Sequence, residues 1–360
     1  MDSIKVYAES KEYPIYFSEG FEGLLQACEE TQLSKSKAFI ITDSNVGKIY
    51  LEEVETQLKK YFAEVESIVF EAGERNKNIY TISELYSGLL EKRAERKSVV
   101  FALGGGVCGD MAGFAAATYL RGIKFVQIPT SLLAQVDSSV GGKVGIDFKH
   151  SKNMIGAFYQ PEYVYVNINT LKTLPEREFR AGIAEVIKYG PIYSPAFYDY
   201  VWENKESIKA LEPKYLQEII KKSCEIKADV VSKDEKESGL REILNFGHTI
   251  GHAVESVMDF KLLHGECVAV GMSAAMEISS KRGYISKFEA ELFRELLKFF
   301  GLELTVEGTD VEKVYKQMFL DKKVKNNKIS FVLIKKFGET LRTDDVSEEE
   351  IKEAVNYILR

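Results

Sequence analysis

At 360 residues the chain is long for one domain and suited to two, and 45% hydrophobic with 29% charged residues is ordinary globular composition with ample material for a core. A net charge of −7 argues against non-specific nucleic-acid binding, although a local group of cations is still able to receive an anionic substrate. No stretch approaches the roughly 18 to 20 apolar residues that span a bilayer, Met1–Lys5 does not open a signal peptide, and Cys28, Cys108, Cys224 and Cys267 form no CxxC pair, so neither a disulfide framework nor a thiolate zinc site is expected and the reading is a cytoplasmic protein.

In chain order, Ala38–Thr42, Ser67–Phe70, Ser98–Leu103, Lys124–Ile128 and Tyr163–Ile168 are short apolar runs that read as buried strands. Helical stretches such as Tyr50–Phe62 and Ile79–Glu95 lie between them. This β-α-β-α rhythm predicts a Rossmann-like α/β domain with a mostly parallel sheet covered on both faces. From about Leu174 to Leu304 the apolar spacing turns helical, as in Ile219, Ile220, Ser223, Ile226 and Val230. A helix is expected from about Glu266 to Lys281, with Gly283 as its stop. A strand at Ile329–Ile334 interrupts late, and Ser347-Glu348-Glu349-Glu350 is a capping-box signature for a last helix. The expected domains are therefore 1–170, α/β and nucleotide-binding, and 171–360, mainly helical and carrying metal and substrate groups. Clefts between such halves are favoured ligand sites.

Leu103-Gly104-Gly105-Gly106-Val107-Cys108-Gly109-Asp110 follows a strand and precedes the helical segment Met111–Thr118. Glycines there let the backbone approach a pyrophosphate, whose charge a helix N-terminus stabilises. Gly104, Gly106 and Gly109 satisfy GxGxxG, but the motif comes late in the chain and the next strand ends in Pro129-Thr130 rather than an acid. An acid stands upstream, Asp43 in Thr42-Asp43-Ser44-Asn45, where a carboxylate suits ribose hydroxyls. A structural turn and a dinucleotide site both stay open on these residues alone. Gly141-Gly142-Lys143 is no Walker loop, since Asp137 stands where its first glycine belongs and Val144 follows the lysine.

Three of the four histidines, His248, His252 and His264, fall within seventeen residues. His248 and His252 are i and i+4 and share a helix face, but the glutamate of HExxH is missing, so metalloprotease chemistry is not expected. His264 opens the next helix, where a loop can bring it back toward His248. A catalytic metal needs a third protein ligand. Glu185, in Ala184-Glu185-Val186-Ile187-Lys188, is an acid in an apolar helical stretch, and an ion pair with Lys188 is its simpler reading. Arg121, Lys143, Lys152, Lys188, Lys227 and Arg241 supply cations, several in glycine- and serine-rich loops where donors converge on phosphate or carboxylate.

Six segments together resemble the 3-dehydroquinate synthase family: LGGGVCGDMAGFAAATYLRG (103–122), IPTSLLAQVDSSVGGKVGID (128–147), KNMIGAFYQP (152–161), AEVIKYG (184–190), LNFGHTIGHAVE (244–255) and HGECVAVGM (264–272). They stand in the family's order and spacing across nearly the whole chain. The resemblance implies a zinc or cobalt ion held by Glu185, His248 and His264. It implies NAD contacts at Asp43, Asn45, Glu74, Lys77, Gly105, Gly106, Val107, Asp110, Thr130, Ser131, Lys143 and Lys152. Substrate contacts are implied for Arg121, Lys143, Lys152, Asn153, Lys227, Arg241, Asn245, His252 and Lys328, and catalytic roles for Asp137, Lys143, Lys188, Glu237, Asn245 and His252. Cys108 and Cys267 replace small or apolar residues usual in the family, which reads as neutral.

The implied activity converts 3-deoxy-D-arabino-heptulosonate 7-phosphate into 3-dehydroquinate and phosphate, a step of the shikimate pathway to aromatic amino acids. NAD transiently oxidises a ring alcohol, which acidifies the adjacent proton; phosphate leaves, the ketone is reduced again, and an intramolecular aldol step closes the carbocycle. The resemblance also implies a homodimer. Rival readings are a related sugar phosphate cyclase such as 2-deoxy-scyllo-inosose synthase, whose substrate lacks the carboxylate that Lys227 and Arg241 would read, and a metal-dependent polyol dehydrogenase of the glycerol dehydrogenase type. A non-catalytic NAD-binding protein is the rival from another class; retention of every site position speaks against it.

Overall fold

The computed structural model describes residues 1–149, 151–319, 324–325 and 328–360. The chain forms two compact units, one of residues 1–174 with 216–236 and the other of residues 175–215 with 237–360. A single crossing near residue 170 was expected. The chain instead crosses three times, because α8 (Pro213–Lys233) is tied into the first unit. The carboxylate of Glu235, just past that helix, accepts from the Ser10 backbone N–H at 2.8 Å and from the Gln160 amide at 2.7 Å.

In the first unit the strands are β1 (Asp2–Tyr7), β2 (Glu12–Ser18), β3 (Lys37–Asp43), β4 (Glu64–Phe70), β5 (Val99–Gly104), β6 (Lys124–Pro129), β7 (Lys143–Phe148), β8 (Ser151–Phe158) and β9 (Val164–Asn167). Among the described residues the main sheet has the order β1-β2-β9-β6-β5-β3-β4. It is parallel throughout except for the antiparallel β1–β2 pair. The continuous apolar runs follow from covering on both faces. Ile40, Phe101 and Val126 pack on one side with α1 (Leu24–Glu30) and α2 (Gly47–Leu58). Phe39, Ile41, Val100 and Phe125 pack on the other with α3 (Ile79–Glu91) and α4 (Gly106–Thr118). The chain leaves β3 for one face and β5 for the other, so a topological switch point lies between their carboxyl ends, the favoured ligand crevice of open α/β sheets.

Three expectations shift in detail. The helix after the glycine loop begins at Gly106, five residues before Met111. The helix expected over Ile79–Glu95 ends at Glu91, with Arg93 at φ +56°. The late strand is split at Ser330, whose carbonyl accepts from the Thr249 hydroxyl at 3.0 Å. The hairpin β7–β8 and the opening hairpin β1–β2 were not anticipated as pairs.

The second unit is mainly helical: α5 (Glu176–Ile192), α6 (Pro195–Glu203), α7 (Lys205–Lys209), α9 (His248–Val257), α10 (His264–Lys281), α11 (Lys287–Phe299), α12 (Val311–Met318) and α13 (Glu348–Tyr357), with a hairpin of Phe331–Lys336 and Glu339–Thr343. The capping box at Ser347 is formed: its hydroxyl accepts from Glu350 N–H, and the Glu350 carboxylate accepts from Ser347 N–H. α10 meets both α5 and α9 backbone to backbone. A Cβ on Gly271 of α10 would lie 1.9 Å from the Gly247 carbonyl oxygen, and one on Gly265 would lie 1.9 Å from that of Ala181. No main-chain oxygen tolerates that approach without movement of a helix. Gly271→Ala is therefore expected to lower stability by about 1–3 kcal/mol or more through overpacking, read as a lower urea midpoint; a wild-type midpoint would contradict the close contact.

Candidate functional site

The glycine loop runs from β5 into α4 with Gly105 at the N-cap, and no side chain caps it. The first N–H groups of a helix lack intrahelical partners, so this end of α4 is suited to an anion. Gly109 allows the helix to lie against β6, since a Cβ there would meet the Gln127 amide oxygen at 2.6 Å. Ser131 and Ser138 flank Gly105 and Gly106. Thr130 donates its backbone N–H to the Gly104 carbonyl at 3.0 Å.

Asp43 stands at the end of β3, across the switch point. One of its oxygens accepts from the backbone N–H groups of Asn45 and Val46 at 2.9 and 3.0 Å, while the other lies beside Gly104. It thus shapes its own turn as well as facing the loop. Lys77 is buried, with its ammonium 2.6 Å from both the Asp110 carboxylate and the Asn153 side-chain oxygen. Burial opposes its charge, but Asp110 and Glu74 outweigh that and raise its pKa; burial likewise pushes up the carboxyl of Asp110 against the lowering effect of Lys77. Lys152 pairs with Glu74 at 3.0 Å. The structure thus brings Glu74, Lys77, Asp110, Lys152 and Asn153 into one network.

Asp137 sits in a π-helical turn, Ala134–Ser138, a feature frequent at functional sites. Its carboxylate lies 2.9 Å from the ammonium of Lys227 on α8, which also donates to the Asp137 backbone carbonyl at 2.5 Å. Arg121, Asn153 and Glu237 all adopt left-handed backbone, at φ +67°, +50° and +58°, the kind of outlier that clusters where side chains must be aimed. In the second unit, the Asn245 amide donates to Glu237 at 2.8 Å, and Arg241 is only 1% exposed. The Lys328 side chain lies outside the described residues.

The histidines and Glu185 come from three helices. Glu185 and Lys188 face inward from α5, each 1% exposed, and Lys188 pairs with Oε2 of Glu185. The ion pair offered by the i,i+3 spacing is therefore real, yet it occupies one carboxylate oxygen. The other, Oε1, lies 3.7 Å from Nε2 of His248 and 3.5 Å from Nε2 of His264. A tetrahedral site with metal–ligand bonds of about 2.1 Å has edges of about 3.4 Å, so both carboxylate–imidazole separations are close to those of donors sharing one ion. His248, His252 and His264 also have ligand atoms within 4.8 Å of one another, which keeps His252 at the same centre. The Nδ1 side of His248 faces the Phe246 carbonyl at 3.1 Å, leaving Nε2 toward Glu185. His264 opens α10, whose first turn is anchored by Glu266: its carboxylate accepts from Leu263 N–H at 2.8 Å and takes both arms of Arg177 at 2.7 Å.

Burial opposes protonation of His264, but Glu185 and Glu255 outweigh it and raise its pKa from 6.5 to about 9. Glu255 was not singled out by sequence, although it lies seven residues after His248 on the same helical face. A proton on His264 thus places one positive charge between the two carboxylates, and a metal bound there would have to displace it. The stability that His264 contributes to metal-free protein is complete below pH about 6.5 and is lost as pH rises through about 9. Chelated wild type should therefore lose thermal stability over that window relative to chelated His264→Asn; parallel pH profiles for the two would contradict the assignment.

The family described as 3-dehydroquinate synthase N-terminal matches residues 67–181, and that described as 3-dehydroquinate synthase C-terminal matches residues 182–324. A 3-dehydroquinate synthase of Acetivibrio thermocellus is 50% identical over 356 residues, 99% of each chain. Among solved structures, a 2-deoxy-scyllo-inosose synthase complexed with carbaglucose-6-phosphate, NAD+ and Co2+ is similar at a TM-score of 0.87 and 24% identity, covering 99% of this chain and 100% of that one. A 2-epi-5-epi-valiolone synthase of Streptomyces hygroscopicus, with NAD+ and Zn2+ bound, has a TM-score of 0.89 at 23% identity and 96% coverage of each. At such identities these structures show a shared fold.

Proposed function

The chain belongs to the 3-dehydroquinate synthase family, and from that premise we propose that it converts 3-deoxy-D-arabino-heptulosonate 7-phosphate into 3-dehydroquinate and phosphate, as an NAD- and metal-dependent carbon–oxygen lyase. The observation that carries the reading is the convergence of two imidazole nitrogens on one oxygen of Glu185, at 3.5 and 3.7 Å. Half of all positions are shared with a 3-dehydroquinate synthase over nearly the full length, against about a quarter with the inosose synthase, which favours the dehydroquinate reaction over its sister cyclase.

NAD, when bound, supplies reversible removal and return of a hydride at the substrate alcohol. A zinc or cobalt ion on Glu185, His248 and His264 supplies Lewis-acid polarisation of a substrate oxygen. Everything else falls to the chain. The N-terminus of α4, with Gly105, Gly106 and Val107, holds the pyrophosphate, while Asp43 and Asn45, with Glu74, Lys77, Asp110, Thr130, Ser131, Lys143 and Lys152, fix the rest of the dinucleotide. Lys227 and Arg241 read the substrate carboxylate; an arginine fork matches its geometry. Arg121, Lys143, Lys152, Asn153, Asn245, His252 and Lys328 grip the phosphate, whose own oxygens accept the proton lost in elimination. Asp137 and Lys188 hold and move protons at the hydroxyls, and Glu237 orients Asn245. Orientation is then the main contribution, because one site hosts several steps without releasing intermediates.

No described helix is long and apolar enough to cross a membrane. A cytoplasmic homodimer completes the proposal, in keeping with four buried cysteines that form no disulfide. With metal, substoichiometric NAD and the heptulosonate phosphate, the protein should release phosphate over many turnovers without net NADH, and a strong chelator should abolish the release. Net NADH formation would instead favour a polyol dehydrogenase. His248→Ala should lose bound metal while keeping its circular dichroism spectrum; unchanged metal content by elemental analysis would refute the ligand set.

A further inference from the structure

We infer that Glu255 is a positioning residue of the metal centre, holding the Nδ1 side of His264 so that Nε2 is aimed at the ion. The inference rests on the metal reading above. Glu255 lies in the last turn of α9 and is 2% exposed. A carboxylate so buried is costly unless a cation or donor faces it, and its Oε2 lies 3.6 Å from Nδ1 of His264. That is ion-pair range, a few tenths of an ångström beyond hydrogen-bonding length. The opposite ring nitrogen, Nε2, is 3.5 Å from Oε1 of Glu185. His264 is therefore flanked by carboxylates on its two nitrogens, one on the donor side of the centre and one behind it.

His248 repeats the arrangement with different chemistry. Its Nδ1 faces the Phe246 carbonyl at 3.1 Å and its Nε2 faces the same Glu185 oxygen. Both rings thus have an oxygen behind Nδ1, which favours the tautomer with the Nδ1 proton and leaves the Nε2 lone pair for a metal. The two supports differ in one respect: a carbonyl only orients its ring, whereas a carboxylate also raises the basicity of the imidazole and so strengthens the donor. The helix accounts for the placement. His248, His252 and Glu255 stand at i, i+4 and i+7 on α9, along one face. One helix therefore supplies a ligand, a neighbour of the centre, and the support for a ligand on α10. Glu255 is not itself a ligand here, because it approaches the ring nitrogen remote from Glu185.

The test compares wild type, Glu255→Gln and Glu255→Ala as purified metal-free chains. Zn2+ affinity is measured by chelator competition, the visible spectrum of the Co2+ forms reports coordination, and the urea midpoint without metal reports folding. Loss of the carboxylate should weaken Zn2+ binding by about 10–100-fold and alter the Co2+ spectrum, with Glu255→Ala affected at least as much as Glu255→Gln. Glu255→Asp, which keeps the charge one methylene back, should recover part of the affinity. A wild type that binds neither ion would overturn the metal reading itself. A wild type that binds, with folded Gln and Ala variants matching its affinity within about twofold and its Co2+ spectrum, would overturn the role of Glu255 and leave the metal reading intact.

Discussion

Three helices of the second unit touch without side chains between them, and the donor set depends on that contact. Ordinary helix pairs stand about 8–10 Å apart, held off by the residues at their crossing. Here Gly265 lies on the Ala181 carbonyl of α5, and Gly271 lies on the Gly247 carbonyl at the start of α9. Glu185 and His264 each follow or precede one of these contacts by a few residues, and His248 is the residue after Gly247. Short side chains therefore meet: a carboxylate from α5 and imidazoles from α9 and α10 share a point that longer separations would leave empty. The backbone packing sets the reach, and the oxygens behind each ring set the direction.

The two readings of Glu185 are reconciled by its having two oxygens. Oε2 answers Lys188, as i,i+3 spacing on a helix allows, and Oε1 faces the histidines. A buried carboxylate with only one of these partners would carry an uncompensated demand. In the first unit a similar economy holds at Asp43, whose carboxylate closes its own turn with one oxygen and faces the glycine loop with the other. That loop and Asp43 sit at the carboxyl ends of neighbouring strands whose helices leave for opposite faces of the sheet.

Strands buried on both faces were legible because they read as unbroken apolar runs, and β3, β5 and β6 lie within a residue or two of expectation. The hairpin β7–β8 was hidden because Val144, Ile146, Phe148, Met154, Ile155, Ala157 and Phe158 are interrupted by charged, polar and glycine residues, so neither strand reads as an unbroken apolar run. The return of α8 to the first unit was also invisible, since its apolar periodicity says that a face is buried but not against what. At the site, His248 and His252 were legible from helical spacing. Glu185 was not, because an acid three residues before a lysine on an apolar helix predicts an ion pair, and that pair is indeed formed; its proposed place among the ligands came from the family motifs. Glu255 carried a signal, its i+7 spacing from His248, but a glutamate near a helix end is ordinarily solvated and its burial is a property of tertiary packing.

The proposed ligands are Glu185, His248 and His264, with His252 beside them rather than among them. X-ray absorption of the zinc-loaded protein tests this most directly, because multiple scattering counts imidazoles. Two imidazoles and an oxygen donor, with nitrogen and oxygen distances of about 2.0–2.2 Å and no sulfur, are the predicted shell. A shell of three imidazoles, unchanged in Glu185→Gln, would contradict it and make His252 the third ligand.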